Sequence, residues 1–373
     1  MSGEQASSPN PLPPEATGAP PSKQSVFYKV LSAMFTGGLL VAIAFWLIPQ
    51  ISNYADVGQA LEKMRPLGLL LLLLGGVVVM TLNALAMATP LMGLKLRRAF
   101  VAQQACTAVS NIIPGPSGTA ARFAILRSWG VGVEEFTRAT FAVSIWSNVA
   151  MISMPGVAFV VLAILEGVSV NGQNLLVLAA VSILMSVVSI ALVIGCLRSE
   201  HVARWLGRAT AWVYNPLRKL LRKPAVTTLE DQAVELRLRT VQVLKERGGR
   251  LTAVTVGNYW FNGLLLVLCL WLVGIPHSGM PLVVGLAVYS IGRLSTIVQV
   301  TPGGVGVVEV AYTAVYVSLL GESYSPQIIT GVLIYRGLTY LLPILVGGVC
   351  YAIWRRMQAR AHRIPVVEDS RTP

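Results

Sequence analysis

The chain has 373 residues, 54% of them hydrophobic and only 12% charged, against roughly 25% charged in a soluble domain, which excludes a soluble fold and predicts an integral membrane protein. The formal charge of +13 is no nucleic-acid signature, because the basic residues fall between apolar runs, as positive-inside placement requires. Cys106, Cys196, Cys269 and Cys350 are scattered through apolar sequence, and His201, His277 and His362 lie far apart; neither set has metal-site or disulfide spacing, so no metal and no cofactor is expected.

Residues 1–28 are predicted to be a disordered Pro-rich cytoplasmic tail: Pro9, Pro11, Pro13, Pro14, Pro20 and Pro21 crowd a stretch with almost no large apolar side chains. Apolar runs follow at 30–49, 67–90, 137–165, 174–197, 251–273 and 326–353, each near or above the ~20 residues of a spanning helix. Two further runs, 99–130 and 280–320, are interrupted by Pro-Gly sequences. Lys and Arg orient the set. Lys95, Arg97 and Arg98, then Arg122, Arg127 and Arg138, twelve residues in 198–250 and five in the tail mark one side, whereas 166–173, 274–279 and 321–325 have none. Both termini are therefore expected in the cytoplasm.

In this orientation 99–130 begins and ends inside and 280–320 begins and ends outside. Each is predicted to be a re-entrant helical hairpin, and the two enter from opposite faces. The alternative for 280–320 is two full spans joined by a tight turn. The fold expected is an all-α polytopic membrane protein with six full spans plus two re-entrant hairpins in an inverted-topology repeat. Residues 29–166 form the first repeat, 174–354 the second with a cytoplasmic loop 198–250, and 355–373 a basic tail.

Both hairpin tips carry P-G-x-x-G: Pro114, Gly115 and Gly118 in the first, Pro302, Gly303 and Gly306 in the second, the latter within Thr301-Pro302-Gly303-Gly304-Val305-Gly306-Val307-Val308-Glu309. Backbone broken at membrane depth must be buried in protein or line a cavity, and the half-helix after each tip favours an anion at its N-terminus. Arg122, Arg293, Glu309 and Arg336 lie within apolar runs, and each such charge costs roughly 2.5–3.5 kcal/mol at a helix centre. They are expected to converge on one polar cavity near the Pro302 tip and to hold substrate there. The competing reading of Glu309 and Arg336 is a structural ion pair.

In the loop, Val202, Trp205, Leu206, Ala209, Trp212 and Val213 recur at helical spacing, with Arg204 and Arg208 on another face. This predicts an amphipathic helix attracted to anionic lipids. Thr227 and Glu230 have capping-box spacing and predict a second cytoplasmic helix from Thr227 to about Glu246.

The stretch Thr301 to Glu309, with Tyr335-Arg336 downstream, resembles the flippase-like membrane family related to the transmembrane part of lysylphosphatidylglycerol synthetase. Pro114, Gly118 and Arg122 are similar to the P-x-x-x-G-E-x-x-R pattern of relatives, with Thr119 where they usually carry glutamate. The resemblance covers about 30–355 and implies a lipid-handling protein of the cell envelope, in some relatives a flippase. Two-domain relatives add a soluble aminoacyl-transfer domain, which is expected to be absent here. The function expected is translocation of an anionic or phosphate-bearing lipid head group between leaflets of the plasma or inner membrane, by a non-enzyme. The alternatives are a membrane scaffold of envelope lipid synthesis or a lipid-linked transferase. Partners expected are a phospholipid or lipid-linked head group and anionic lipids at the loop, with no nucleic acid.

Overall fold

The computed structural model describes residues 58–113, 117–167, 169–170, 173–220, 229–297 and 302–361, all within the compact unit formed by residues 48–373. The expected tail, the apolar run 30–49, Pro114, Gly115, Thr301, Thr227 and the end of the basic tail lie outside the described residues. The elements are α1 (Pro66–Ala88), α2 (Leu96–Ile112), α3 (Ser117–Arg127), α4 (Val133–Leu165), a two-residue antiparallel pairing of Ser169–Val170 with Gln173–Asn174, α5 (Leu176–Arg198), α6 (Glu200–Leu220), α7 (Leu229–Leu272), α8 (Leu282–Leu294), α9 (Val307–Leu320), α10 (Ser325–Arg336) and α11 (Leu342–Ala361). Among the described residues, five helices are long and apolar enough to cross a membrane: α1, α4, α5, the second part of α7 from Thr240, and the continuous run Glu322–Ala359 that holds α10 and α11. These are five of the six expected spans.

Each broken run folds as an antiparallel helix pair. In the first, Gly118 of α3 packs so closely on α2 that a Cβ there would overlap Ser110 Oγ and the Cys106 carbonyl. In the second, Tyr316 of α9 donates to the Gly285 carbonyl of α8 at 2.7 Å, and the rings of Tyr289 and Tyr312 stack at 5.6 Å. The two P-G-x-x-G motifs are thus alike in sequence and different in physics. The last glycine of the first permits close helix contact, whereas that of the second, Gly306, carries a φ of +89° that a side chain rarely tolerates.

The pairs pack across the molecule. α2 lies along α11, α8 along α4, and α1 along α7. At the α2–α11 crossing a Cβ on Gly347 would strike the Gln104 carbonyl and the Ala108 methyl, so these backbones meet with nothing between them. Buried Gln104 also donates to the Met80 carbonyl of α1 at 3.0 Å, which satisfies a polar side chain that lipid would leave unpaired. The core between α7, α8, α9 and α10 is built from Leu266, Leu270, Tyr289, Tyr312, Tyr316 and Tyr335, all essentially inaccessible. Leucines 67, 70, 71, 73 and 74 of α1 and most of α5 face outward, as helices in hydrocarbon do.

One expectation is corrected. The second cytoplasmic helix does not stop near Glu246: α7 continues unbroken from Leu229 to Leu272, 44 residues, or roughly 66 Å. Gly248 and Gly249 lower local propensity by about 1 kcal/mol each. That is too little to end a helix whose next turns are held by contacts such as Trp146 Nε1 to Thr252 Oγ1 at 2.8 Å. The last span forms as a continuous run, with one irregularity inside it. Between α10 and α11 the backbone widens into a π-helical turn, Gly337–Leu341. Pro343 explains it: the ring cannot donate to the Thr339 carbonyl four residues back and would clash with it in a regular helix.

Candidate functional site

The second tip is a single 3-10 turn, Pro302–Gly304, with Gly303 at φ +61° and Gly304 at φ +68°. Turning the chain this tightly leaves the first N–H groups of α9 without helical partners. Glu309, in the first turn, answers one of them: its Oε2 accepts from the Gly306 N–H at 2.7 Å, the backward half of a capping box. Its Oε1 accepts from Arg336 Nε at 2.6 Å. Arg336 Nη2 then donates to the Gly303 carbonyl at 2.9 Å, and the guanidinium lies 4.9 Å over the Tyr340 ring. With the two side chains only 13% and 14% exposed, the charges are poorly screened and each depends on the other. One carboxylate therefore caps a half-helix and neutralises an arginine that holds the turn.

Tyr340 joins this tip to the first hairpin. Its hydroxyl donates to the Asn111 carbonyl at 3.0 Å, while Asn111 Nδ2 donates to the Tyr340 carbonyl at 3.3 Å. Asn111 belongs to the last turn of α2, three residues before Pro114. On its other side the Tyr340 ring occupies the space that a Cβ on Gly303 would need. The ends of the two hairpins are thus bridged by one aromatic side chain carried on the π turn. Sequence reading missed both residues. The available signals were an asparagine just before a Pro-Gly break and an aromatic four residues after an embedded arginine.

Arg293 lies close by but outside the ion pair. It ends α8 with its guanidinium 5.5 Å over the Tyr259 ring of α7. Around it are Tyr289, Tyr312 and Tyr335, whose rings meet at 5.6, 6.5 and 6.0 Å. Tyr312 follows Glu309 by one turn of α9, and Tyr335 adjoins Arg336 on α10, so the two groups share a wall. From the Tyr335 hydroxyl a chain of donors runs to Asn262 Oδ1 at 3.3 Å, from Asn262 to Asn258 Oδ1 at 3.2 Å, and from Asn258 to Asn83 Oδ1 at 3.1 Å. Asn83 ends it at the Val79 carbonyl, 3.0 Å away.

Arg122 is elsewhere. Its Nη1 and Nη2 meet Met87 Sδ at 3.1 Å and Cys106 Sγ at 3.0 Å, so its charge faces two weak sulfur acceptors on α1 and α2. Of the four embedded charges, the structure joins Glu309 to Arg336, places Arg293 in the adjoining tyrosine cluster, and turns Arg122 into its own hairpin. Among the described residues the contacts of Arg122 thus lie in the first hairpin and on α1, apart from those of the other three. Pro302, Gly303, Gly304 and Gly306 build the described tip, and Gly118 serves the α2–α3 contact. No group of three or more His, Cys, Asp or Glu side chains spaced for a metal occurs among the described residues.

No curated protein matches the chain. Five apolar helices of spanning length, two antiparallel helix pairs whose ends meet at Tyr340, and a largely buried Glu309–Arg336 pair together describe a multi-pass membrane protein with a polar centre. Residues 34–347 match the lysylphosphatidylglycerol synthase transmembrane region, and the chain belongs to that family.

Proposed function

We infer that the protein is a lipid translocator, not an enzyme, which moves an anionic or phosphate-bearing head group between the leaflets of the plasma or inner membrane. The observation that carries this reading is the junction of the hairpin ends, where Tyr340 bridges Asn111 to Gly303 beside the Glu309–Arg336 pair. Membership of a family named for lipid synthesis supports the substrate class. α8 and α9 have 13 and 14 residues, or about 20 Å each, which is short of a ~30 Å hydrocarbon core and fits a hairpin that enters and leaves by one face. The cross-packing of α2 on α11, α8 on α4 and α1 on α7 fits two repeats of opposite orientation, with the site between their broken elements.

In this mechanism Glu309 holds Arg336 at rest and a lipid phosphate competes with it. The phosphate offers several acceptor oxygens to the guanidinium fork, and Glu309 retains its bond to the Gly306 N–H. The tails stay in lipid while the head group passes between the hairpin ends. Both termini face the cytoplasm, and α6 rests on the anionic inner leaflet through Trp205 and Trp212, 52% and 80% exposed. Reconstitution of the purified chain into liposomes with fluorescent lipids of different head groups tests this. Faster leaflet exchange of phosphatidylglycerol than in protein-free vesicles is expected; exchange no faster than in those vesicles for every head group refutes it.

A further inference from the structure

Near the turn from α4 into α5, the second hairpin leaves a gap beside both helices. The result is an apolar groove of about 120 Å³, lined by Phe159 of α4, Leu178 of α5, Ala287 and Ile291 of α8, and Val315 and Ser318 of α9. Both walls are pinned. On one, Gly156 of α4 lies so close to α5 that a Cβ there would overlap Ser186 Oγ and the Ser182 carbonyl, and the Gly156 N–H donates to Ser186 Oγ at 3.2 Å. On the other, the Tyr316 hydroxyl ties α9 to the Gly285 carbonyl of α8. Neither pair can therefore splay into the space between them. Left unfilled, an apolar void forfeits dispersion contacts of the side chains that line it.

Surroundings and size together name the occupant. Of the 23 residues of α5 only Ala179, Ser182 and Ser186 are buried. Ile164, Leu165, Val177 and Leu178, at the same ends of α4 and α5, are exposed, and both helices are of spanning length, so hydrocarbon covers this face. No lining residue is charged, and the one polar side chain, Ser318, donates to the Val315 carbonyl at 2.9 Å; nothing there answers a head group. One turn of a helix, 10–12 Å across and 5.4 Å long, fills about 400–600 Å³, so the groove is too small for a partner helix. An unbranched chain of methylenes fits. We propose that the groove seats one acyl chain of a bilayer lipid, which packs the second hairpin against α4 and α5. The site is separate from the Glu309–Arg336 tip and requires no translocation.

The test uses the full chain in liposomes that contain phosphatidylcholine with a photoreactive diazirine in one acyl chain, with adducts mapped by mass spectrometry. The outward leucines of α1, between Leu67 and Leu74, are exposed to the same lipid and serve as the reference. Adducts within 287–291 and 315–318 are expected to outnumber those on α1. Ala287→Leu and Ser318→Leu each place a branched side chain where the tail lies. Each displaces about two methylenes, so groove adducts fall roughly tenfold while those on α1 stay unchanged. Ala287 is buried and Ser318 is exposed, so Ser318→Leu, which disturbs no core packing, is the deciding variant. Melting of delipidated protein in a steroid-based detergent, which has no alkyl chain to take the place of the tail, gives a second readout. Both variants are expected to melt above the parent there and to gain less when lipid is returned.

Groove adducts no more frequent than those on α1, or unchanged by Ser318→Leu, overturn the proposal. A dimer in native mass spectrometry that Ser318→Leu dissociates overturns it too, because the groove then receives a side chain of a second copy. Leaflet exchange in the same liposomes reads the translocator separately. Groove adducts without exchange of any lipid would keep the tail site and sink the translocator. Exchange without groove adducts would do the reverse.

Discussion

Replacing Glu309 by glutamine removes one charge and leaves the shape of the tip intact. The carboxylate now accepts from Arg336 Nε at 2.6 Å and from the Gly306 N–H at 2.7 Å. Glutamine has one acceptor oxygen, so it can keep one of these bonds and must present an N–H₂ to the other donor. Hydrogen bonds to charged groups contribute about 1.5–3 kcal/mol, and at 13% and 14% exposure little of that is lost to solvent. A loss of about 2 kcal/mol is expected, read as a lower melting temperature in detergent. The same quantity sets the effect on lipid. In the parent a phosphate must displace Glu309 to reach Arg336; in the variant that competition is nearly gone, so binding of an anionic head group tightens by about 30-fold. Tighter binding without a competitor to drive release slows exchange. The assay is titration of the chain in neutral nanodiscs with phosphatidylglycerol, followed by leaflet exchange in liposomes. Weaker or unchanged binding in Glu309→Gln, with exchange at the parent rate, would refute the idea that Glu309 competes with phosphate.

Gly303→Ala is expected to abolish exchange, since its Cβ would enter the Tyr340 ring and its φ of +61° strains any side chain; adding Tyr340→Ala should restore part of the lost stability, measured as a coupling of about 0.5–3 kcal/mol in a double-mutant cycle. Tyr340→Phe keeps the ring over Arg336 and deletes only the bond to Asn111, which predicts a loss of about 1 kcal/mol together with slower exchange. Trp205→Ala with Trp212→Ala should leave the melting temperature in detergent unchanged, because both rings are exposed, while lowering the dependence of exchange on anionic inner-leaflet lipid. Single cysteines at Glu322 should react with an impermeant reagent from outside, and those at Arg97, Arg127 and Arg247 only from inside; external reaction at Arg127 would overturn the re-entrant reading of the first pair.

The spans were legible because hydrocarbon thickness sets a length, and length survives in composition. The helix pairs were legible because Pro-Gly breaks cannot pass unnoticed in an apolar run. The Glu309–Arg336 pair was foreshadowed by energetics alone: two opposite charges that both avoid lipid have few places to go. Other features left no such trace. Tyr340 and Asn111 are uncharged residues in apolar sequence, and their meeting depends on α11 lying along α2, a contact 229 residues apart. The tyrosine cluster around Arg293 draws one ring each from α7, α8, α9 and α10, so no local pattern announces it. Arg122 went astray for a chemical reason. Met87 and Cys106 read as apolar filler, yet their sulfurs are the atoms that face its guanidinium. The continuous α7 was misread because Gly248-Gly249 mimics a linker wherever packing does not override it.

Photocrosslinking tests the location of the head-group path most directly. A phosphatidylglycerol carrying a photoreactive group on its head is added to the chain in liposomes, and the adducts are mapped by mass spectrometry. The account predicts adducts on the second tip and the π turn, within 303–309 and 336–341, with Asn111 of the first hairpin, and their reduction in Glu309→Gln/Arg336→Ala protein. Adducts confined to the outward faces of α1 and α5, with none at either hairpin end, would contradict it.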